Sequence, residues 1–316
     1  MINIFYKTNG KIICEKKISF LEEISLSNIL WVDLVSASCE DKAIIEQHFC
    51  VRLQSRQEAE EIESSSRFFE TEDRIIANSN FLILNKDSYH DEPVSFIIKD
   101  NILISYRNAE LKSFNDTFRK LELNLKQLSN GYQIFLAILE IRIDLDADLL
   151  ESLAKDIAEL AKEVTLIKDL DEELILEITK YQEMTMMLRE NIIDKQRVVS
   201  AVLKSDLFPK DNTEKLRIMI KDIGSLLDHT NFSFERLEYL QDTFLGLVNI
   251  EQNKIIKIFT VVTVIFMPPT LIASMYGMNF RFMPELEWEY GYLIAIMLMI
   301  FSSVGTLLFF IRKRWL

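Results

Sequence analysis

Hydrophobic positions change their rhythm three times along this chain of 316 residues. From Met1 to about Tyr106 they come in short runs rich in β-branched and aromatic residues, "ILWVDL", "RIIANSNFLILN" and "PVSFIIKDNILISY", and such runs predict strands. "INIFYKTNGKIICEKKI" adds a hairpin with its turn at Asn9-Gly10, and Glu40 to Phe49 reads as an intervening helix. From Asn108 onward turn residues almost vanish. Apolar spacing in "YQIFLAILEIRIDLDADLLESLAKDIAELAKEV" and "LDEELILEITKYQEMTMMLRENIIDKQRVVSAVL" is helical. These segments predict two long antiparallel helices whose heavy charge forms a solvated face.

Pro209 breaks that pattern, and Asp211-Asn212-Thr213-Glu214 offers capping residues for a new helix. No proline follows until Pro268, so a helix reaching Met275 would hold about 63 residues and measure roughly 95 Å. Asn231 to Ser233 is the stretch able to interrupt it. The last rhythm has no polar beat: Ile258 to Tyr276 and Gly291 to Ile311 are uncharged runs of about 19 and 21 residues, near the ~20 that cross a bilayer. The expected fold class is an α+β membrane protein: an N-terminal α/β cytosolic domain, a long helical stalk and two C-terminal transmembrane helices. In numbers, 1–107 is the α/β domain, 108–208 the antiparallel helices and 209–254 the stalk. The first span is 255–276, the outer loop 277–290, the second span 291–311 and the basic tail 312–316.

Net charge is −13, carried almost wholly before Lys254. An acidic surface repels nucleic acid and gathers cations, although ordinary solubility accounts for it equally well. The three cysteines, Cys14, Cys39 and Cys50, have no CxxC spacing and read as reduced cytosolic thiols. Met1 to Gly10 lacks the order of a signal peptide, so the N-terminal part is expected to stay inside the cell. Lys254 and Lys257 precede the first span and Arg312-Lys313-Arg314 follow the second, while Glu285, Glu287 and Glu289 stand against Arg281 between them. Both termini are then cytoplasmic in a multi-pass inner-membrane protein, with Trp288, Tyr290 and Tyr292 at the outer interface and Trp315 at the inner one.

Polar side chains are costly in hydrocarbon, so their placement on the first span shows what it lines. They fall into two seven-residue series, Asp242, Asn249, Ile256, Thr263, Thr270, Gly277 and Gly246, Asn253, Thr260, Met267, Ser274. Together the series trace one helical stripe, the geometry of identical helices around a lumen. Backbone bonding and helix packing account for any single Ser or Thr, but less well for the whole register. One chain has too few spans to enclose a channel, so a homo-oligomeric ring in the lipid bilayer is expected.

Asn279 follows the first span at the end of Tyr276-Gly277-Met278-Asn279. Mg2+ holds its waters tightly, and a neutral amide oxygen accepts hydrogen bonds from them without the grip of a carboxylate. Gly277 would permit a tight turn, with Tyr276 and Met278 packing it. Ile256, Phe259 and Met267 are apolar positions for a narrow gate, with core packing the competing reading for Phe259. Pro268-Pro269 frees two carbonyls that would bend the helix or line the lumen.

The seven glycines are never closer than about 14 residues, which excludes a Gly-rich nucleotide cradle. His48, His90 and His229 form no HxxxH or HExxH pattern, and nothing here calls for an enzyme. Transport without nucleotide would be passive: a divalent cation gains about 4.6 kcal/mol per 100 mV on moving inward, twice the value for one charge.

The order of apolar helix, Gly-Met-Asn, acidic loop with Met283-Pro284-Glu285-Leu286, second apolar helix and basic tail resembles the CorA family of divalent-cation channels. The resemblance is sharpest over Asp242 to Leu316. It implies five subunits, Mg2+ influx with Co2+ and Ni2+ as further ions, and the Gly-Met-Asn loop as the outer selectivity element. It also implies closure by cytosolic Mg2+ held between acidic faces of neighbouring subunits, for which Asp87 and Asp222 are the candidates here. Related proteins sharing the loop make a zinc transporter of the same fold one alternative. A membrane-anchored scaffold without transport is the other.

Overall fold

The computed structural model describes every residue except 9, 61–66, 86–87, 124–127, 167–171, 282 and 314–316, so Asn9, Asp87, Arg314 and Trp315 lie outside the described residues. By packing, the chain divides into two compact units, Met1–Gln241 and Asp242–Leu316.

The first unit is built on a seven-stranded sheet of order β2-β1-β3-β7-β6-β5-β4. Its strands are β1 Ile2–Thr8, β2 Lys11–Glu15, β3 Ile29–Val35, β4 Phe68–Glu70, β5 Arg74–Asn85, β6 Ser88–Lys99 and β7 Ile102–Arg107. β3 and β7 pair in parallel, and every other pair is antiparallel. All residues of β3 and β7 are buried, as befits central strands covered on both faces, whereas edge strand β2 is largely exposed. The run "PVSFIIKDNILISY" is two strands: Asp100 and Asn101 take positive φ, 51° and 67°, and turn the chain between them.

One face of the sheet carries an aliphatic core with Ile45 and Phe49 of α1, Cys39–Phe49. Ser38 caps this helix by accepting from the Asp41 N–H at 3.1 Å. A five-residue turn of helix, α2, spans Arg56–Glu60. On the other face Trp31 stacks between Phe5, Phe114 and Phe118 beneath α3, Lys112–Leu123. Asp33, two residues along the same strand, is fully buried and pairs with Arg107 at 2.8 Å.

Two long helices follow, α4 Gly131–Leu166 and α5 Glu172–Lys204, packed on each other and on the sheet. Gly131 starts α4 because the turn leaves no room for more. A Cβ there would stand 2.4 Å from the Leu103 backbone nitrogen, and the Gly131 N–H already donates to the Asn101 carbonyl at 2.6 Å.

The charge on α4 and α5 is only in part a solvated face. Among the described residues β4 pairs with β5 over Ile75–Ala77, and from Asn80 onward helix side chains bond to the backbone of β5. Asp194 accepts from the Asn80 N–H and the Ser79 hydroxyl, both at 2.8 Å. Lys195 donates to the Asn80 carbonyl at 3.0 Å and Arg142 to the Leu82 carbonyl at 3.1 Å. Arg142 and Lys195 share Asp146, and Arg67 pairs with Asp194 at 3.0 Å. All five are buried, and burial lowers the affinity of the Lys195 amine for its proton. Buried backbone groups demand such partners.

Helix α6 runs from Thr213 to Tyr276, 64 residues without interruption. Asn231 does not break it, since its side-chain oxygen accepts from Arg189 of α5 at 3.0 Å. Up to Phe244 its buried residues, Leu216, Met219, Ile223, Thr230, Ser233, Leu237, Leu240 and Phe244, follow steps of 3 and 4 residues, with one step of 7 from Ile223 to Thr230. After a short 3-10 turn at Pro284–Glu287, α7 spans Gly291–Arg312.

The fold class expected above is the one observed: an N-terminal unit containing the sheet, a long helix and a C-terminal apolar helix. The apolar part of α6 and α7 are each long and apolar enough to cross a membrane, and only 6% and 11% of those windows are buried. A core helix of a water-soluble domain would be mostly buried.

Candidate ion-conducting site

In the second unit one side of α6 is partly covered: Val261 is buried, and Val264, Ile265, Pro268, Pro269, Ile272 and Tyr276 are half-buried. Ser303 of α7 reaches the Ile265 carbonyl from that side at 3.5 Å. The stripe lies on the largely opposite side by helical periodicity. Asp242, Asn249, Asn253, Ile256, Thr260, Thr263, Met267, Thr270 and Ser274 are all exposed, so α7 does not cover them.

Thr260, Thr263 and Thr270 each donate to the carbonyl four residues earlier, at 2.8, 2.8 and 2.7 Å. Backbone bonding and an outward polar stripe are therefore compatible. With the proton directed along the helix, each hydroxyl oxygen keeps a lone pair for other donors. Water bound to a metal cation offers hydrogens outward, so an acceptor is the matching partner.

One of the two carbonyls freed by proline lies away from the stripe. Ile265, which loses its donor to Pro269, lies on the covered side against Ser303, and the helix continues through both prolines. Gly277 differs from the expectation, since its φ is not positive. Its N–H still bonds the Ala273 carbonyl at 3.0 Å, and an added Cβ would meet that oxygen at 3.2 Å. A larger residue there would require the helix end to give by a few tenths of an ångström. Met278 and Asn279 follow, exposed.

The loop beyond is fastened at Gly291. A Cβ there would fall 2.4 Å from the Glu285 carbonyl oxygen, so any larger residue would displace the loop backbone. Arg281, Glu285, Glu287 and Glu289 are exposed, as are Trp288, Tyr290 and Tyr292. Ile256, Phe259 and Met267 are exposed too, at 60%, 69% and 60%.

A family model described as "CorA-like Mg2+ transporter protein" matches residues 27–313. The chain belongs to the CorA family. Among similar CorA relatives is the magnesium transport protein CorA of Wolinella succinogenes, 40% identical over the full length of both chains. That of Salmonella typhimurium is 35% identical over 93% of this chain and 94% of its own. The complete structure of the CorA magnesium transporter from Methanocaldococcus jannaschii matches with a TM-score of 0.84 at 20% identity, covering 100% of this chain and 99% of that one. The ZntB cytoplasmic domain of Vibrio parahaemolyticus matches in fold with a TM-score of 0.60 at 14% identity, covering 78% of this chain and 97% of that one.

Of the two regulatory candidates in this CorA chain, only Asp222 is among the described residues. It is exposed on α6 and contributes to a local excess of negative charge. Burial, and then Glu140, Asp148 and Asp222, raise the pKa of Asp144 against the opposing pull of Lys120. Glu140 itself is bridged by Lys215 at 3.0 Å and Lys120 at 3.2 Å. Among the described residues no three His, Cys, Asp or Glu side chains converge as metal ligands. Asp144 and Asp148 were not singled out from sequence. Their four-residue spacing on a helix was the available signal.

Proposed function

We propose that this chain carries Mg2+ passively inward through a homo-oligomeric channel, most simply the pentamer the family resemblance implies. The membrane potential drives the ion, and both termini face the cytoplasm of an inner-membrane protein. The observation that carries this reading is the polar stripe of α6, which the chain's own second span leaves uncovered. A ring of such helices closes a lumen lined by Thr263, Thr270, Ser274 and their companions. Above them a ring of Asn279 amides receives the hydrated ion. The threonine oxygens act as acceptors for its water shell, so the ion need not lose that shell at once. Ile256 and Met267 narrow the path as a dewetting gate.

Cytosolic Mg2+ closes the channel by settling among carboxylates such as Asp222, Asp144 and Asp148, where it relieves their repulsion. The names of the relatives support Mg2+ as the main ion. Co2+ and Ni2+ pass as ions of similar size and charge. The stripe offers no thiolate or imidazole for Zn2+.

The test is influx of Mg2+ into liposomes holding a magnesium dye, driven by an imposed potential, for the native chain and Asn279→Ala. Influx by the first and at least a tenfold loss in the second is the expected result, corresponding to about 1.4 kcal/mol. No influx by either, at low internal Mg2+ and with insertion verified, would favour the scaffold. Influx of Zn2+ in preference to Mg2+ would favour the zinc transporter.

A further inference from the structure

Pro268 and Pro269 have no backbone N–H, so the carbonyls of Val264 and Ile265 lose their donors within the helix. In hydrocarbon no water replaces them, and a bare carbonyl there is costly. Both residues lie on the half-buried side of α6. The second span has three Ser or Thr residues, Ser302, Ser303 and Thr306. Ser302 donates to the Met299 carbonyl and Thr306 to the Ser302 carbonyl, both at 2.8 Å, so these two hydroxyls are used within α7. Ser303 instead donates across to α6, and its acceptor, Ile265, is one of the two carbonyls that the prolines leave without a helical donor.

We propose that Ser303 is a positioning residue for transport: it replaces from the second span the donor that Pro269 removes from the first. The segment beyond the prolines carries Thr270, Ser274 and Asn279. It is joined to the lower helix through a turn short of two hydrogen bonds, and rotation there would move these oxygens relative to Thr263 and Met267. The Ser303 hydroxyl resists that rotation. This inference rests on the reading of α6 as the lining of an ion path.

The test is the concentration dependence of Mg2+ influx into liposomes for the native chain, Ser303→Ala, Ser303→Thr, Pro269→Ala and the Pro269→Ala/Ser303→Ala pair. Ser303→Ala is expected to raise the half-saturating Mg2+ concentration by about two- to threefold, the lower end for one hydrogen bond, because the contact is long at 3.5 Å. Ser303→Thr keeps the hydroxyl and should stay near the native value. Pro269→Ala returns an N–H to the Ile265 carbonyl, so adding Ser303→Ala should then have no further effect. A mere loss of folded protein would lower the maximal rate and leave half-saturation where it was.

The proposal is overturned if Ser303→Ala leaves half-saturation unchanged, or if its effect persists in full beside Pro269→Ala. Should Ser303→Ala fail to insert, the double variant decides: insertion and conduction support the replacement of one donor by the other, and renewed failure refutes it. Asn279→Ala is measured in parallel. Native influx that survives this substitution undiminished would overturn the pore reading, and the Ser303 inference with it, whereas its loss leaves Ser303 to be judged by its own variants.

Discussion

In Met1–Gln241 charged side chains are inside, and in Asp242–Leu316 apolar ones are outside. Asp33, Arg107, Asp146 and Lys195 are at most 2% exposed, while Phe259, Phe266 and Phe301 are 69%, 61% and 72% exposed. Each unit departs from the ordinary rule for a water-soluble protein, in opposite directions. The first does so because buried backbone groups and a strand centre need partners where water cannot reach. The second does so because lipid, or another copy of the chain, replaces water around it. Exposure is thus a statement about contact with the rest of the chain, and its meaning depends on the solvent.

The largest effect should come from disturbing the inside charges. Asp33→Ala strands Arg107 in the sheet, where Asp33 now bonds it at 2.8 Å, and should cost about 3–5 kcal/mol. Thermal unfolding followed by circular dichroism checks this, and a loss under 1 kcal/mol would mean that water enters the sheet.

Equal exposure with unequal consequence is the sharper test. Leu176 of α5 and Phe301 of α7 are 68% and 72% exposed. Leu176→Asp should change stability by no more than about 0.5 kcal/mol. Phe301→Asp should oppose membrane insertion by about 2.5–3.5 kcal/mol, read as the inserted fraction in a glycosylation-reporter assay. Matching outcomes for the two would dissolve the distinction between the units.

An effect smaller than that at Phe301 should be at Glu140, half-exposed between Lys120 and Lys215. Burial alone would raise its carboxyl pKa, but Lys215 and Lys120 outweigh burial and hold it below the ordinary value. Its contribution is therefore present at neutral pH, above the unfolded value, and fades as pH falls through the folded one. Glu140→Gln should cost at most about 1 kcal/mol at pH 7, less in high salt, and nothing once the pH is below both values.

Much of this comparison is legible in the sequence, for physical reasons. The spans declare themselves because lipid forbids charge over a whole run, and β5 does so because Arg74–Asn85 is bounded by turn residues. The stripe is visible since a helix converts seven-residue spacing into one face. Buried charge is harder to read, because the backbone groups it bonds lie on β5, far away in sequence from α4 and α5. Asp146 nonetheless stands seven residues from both Leu139 and Leu153, in the register of the buried face, and that position was a usable sign. The crossing of Ser303 to Ile265 could not be read, because the sequence gives no rotation of one span against the other. Gly277 and Gly291 look alike in the sequence and differ in what crowds them.

Gly291 has a further consequence as a matter of chain statistics. The segment from Gly277 to Gly291 is anchored at its start by the Ala273 carbonyl and again at Glu285, whose carbonyl occupies the space a side chain at Gly291 would need. A contact at Glu285 divides the loop to be closed roughly in half, and halving a loop lowers its closure cost by about 0.6 kcal/mol. The side chain missing at Gly291 is thus a matter of loop entropy as well as of space.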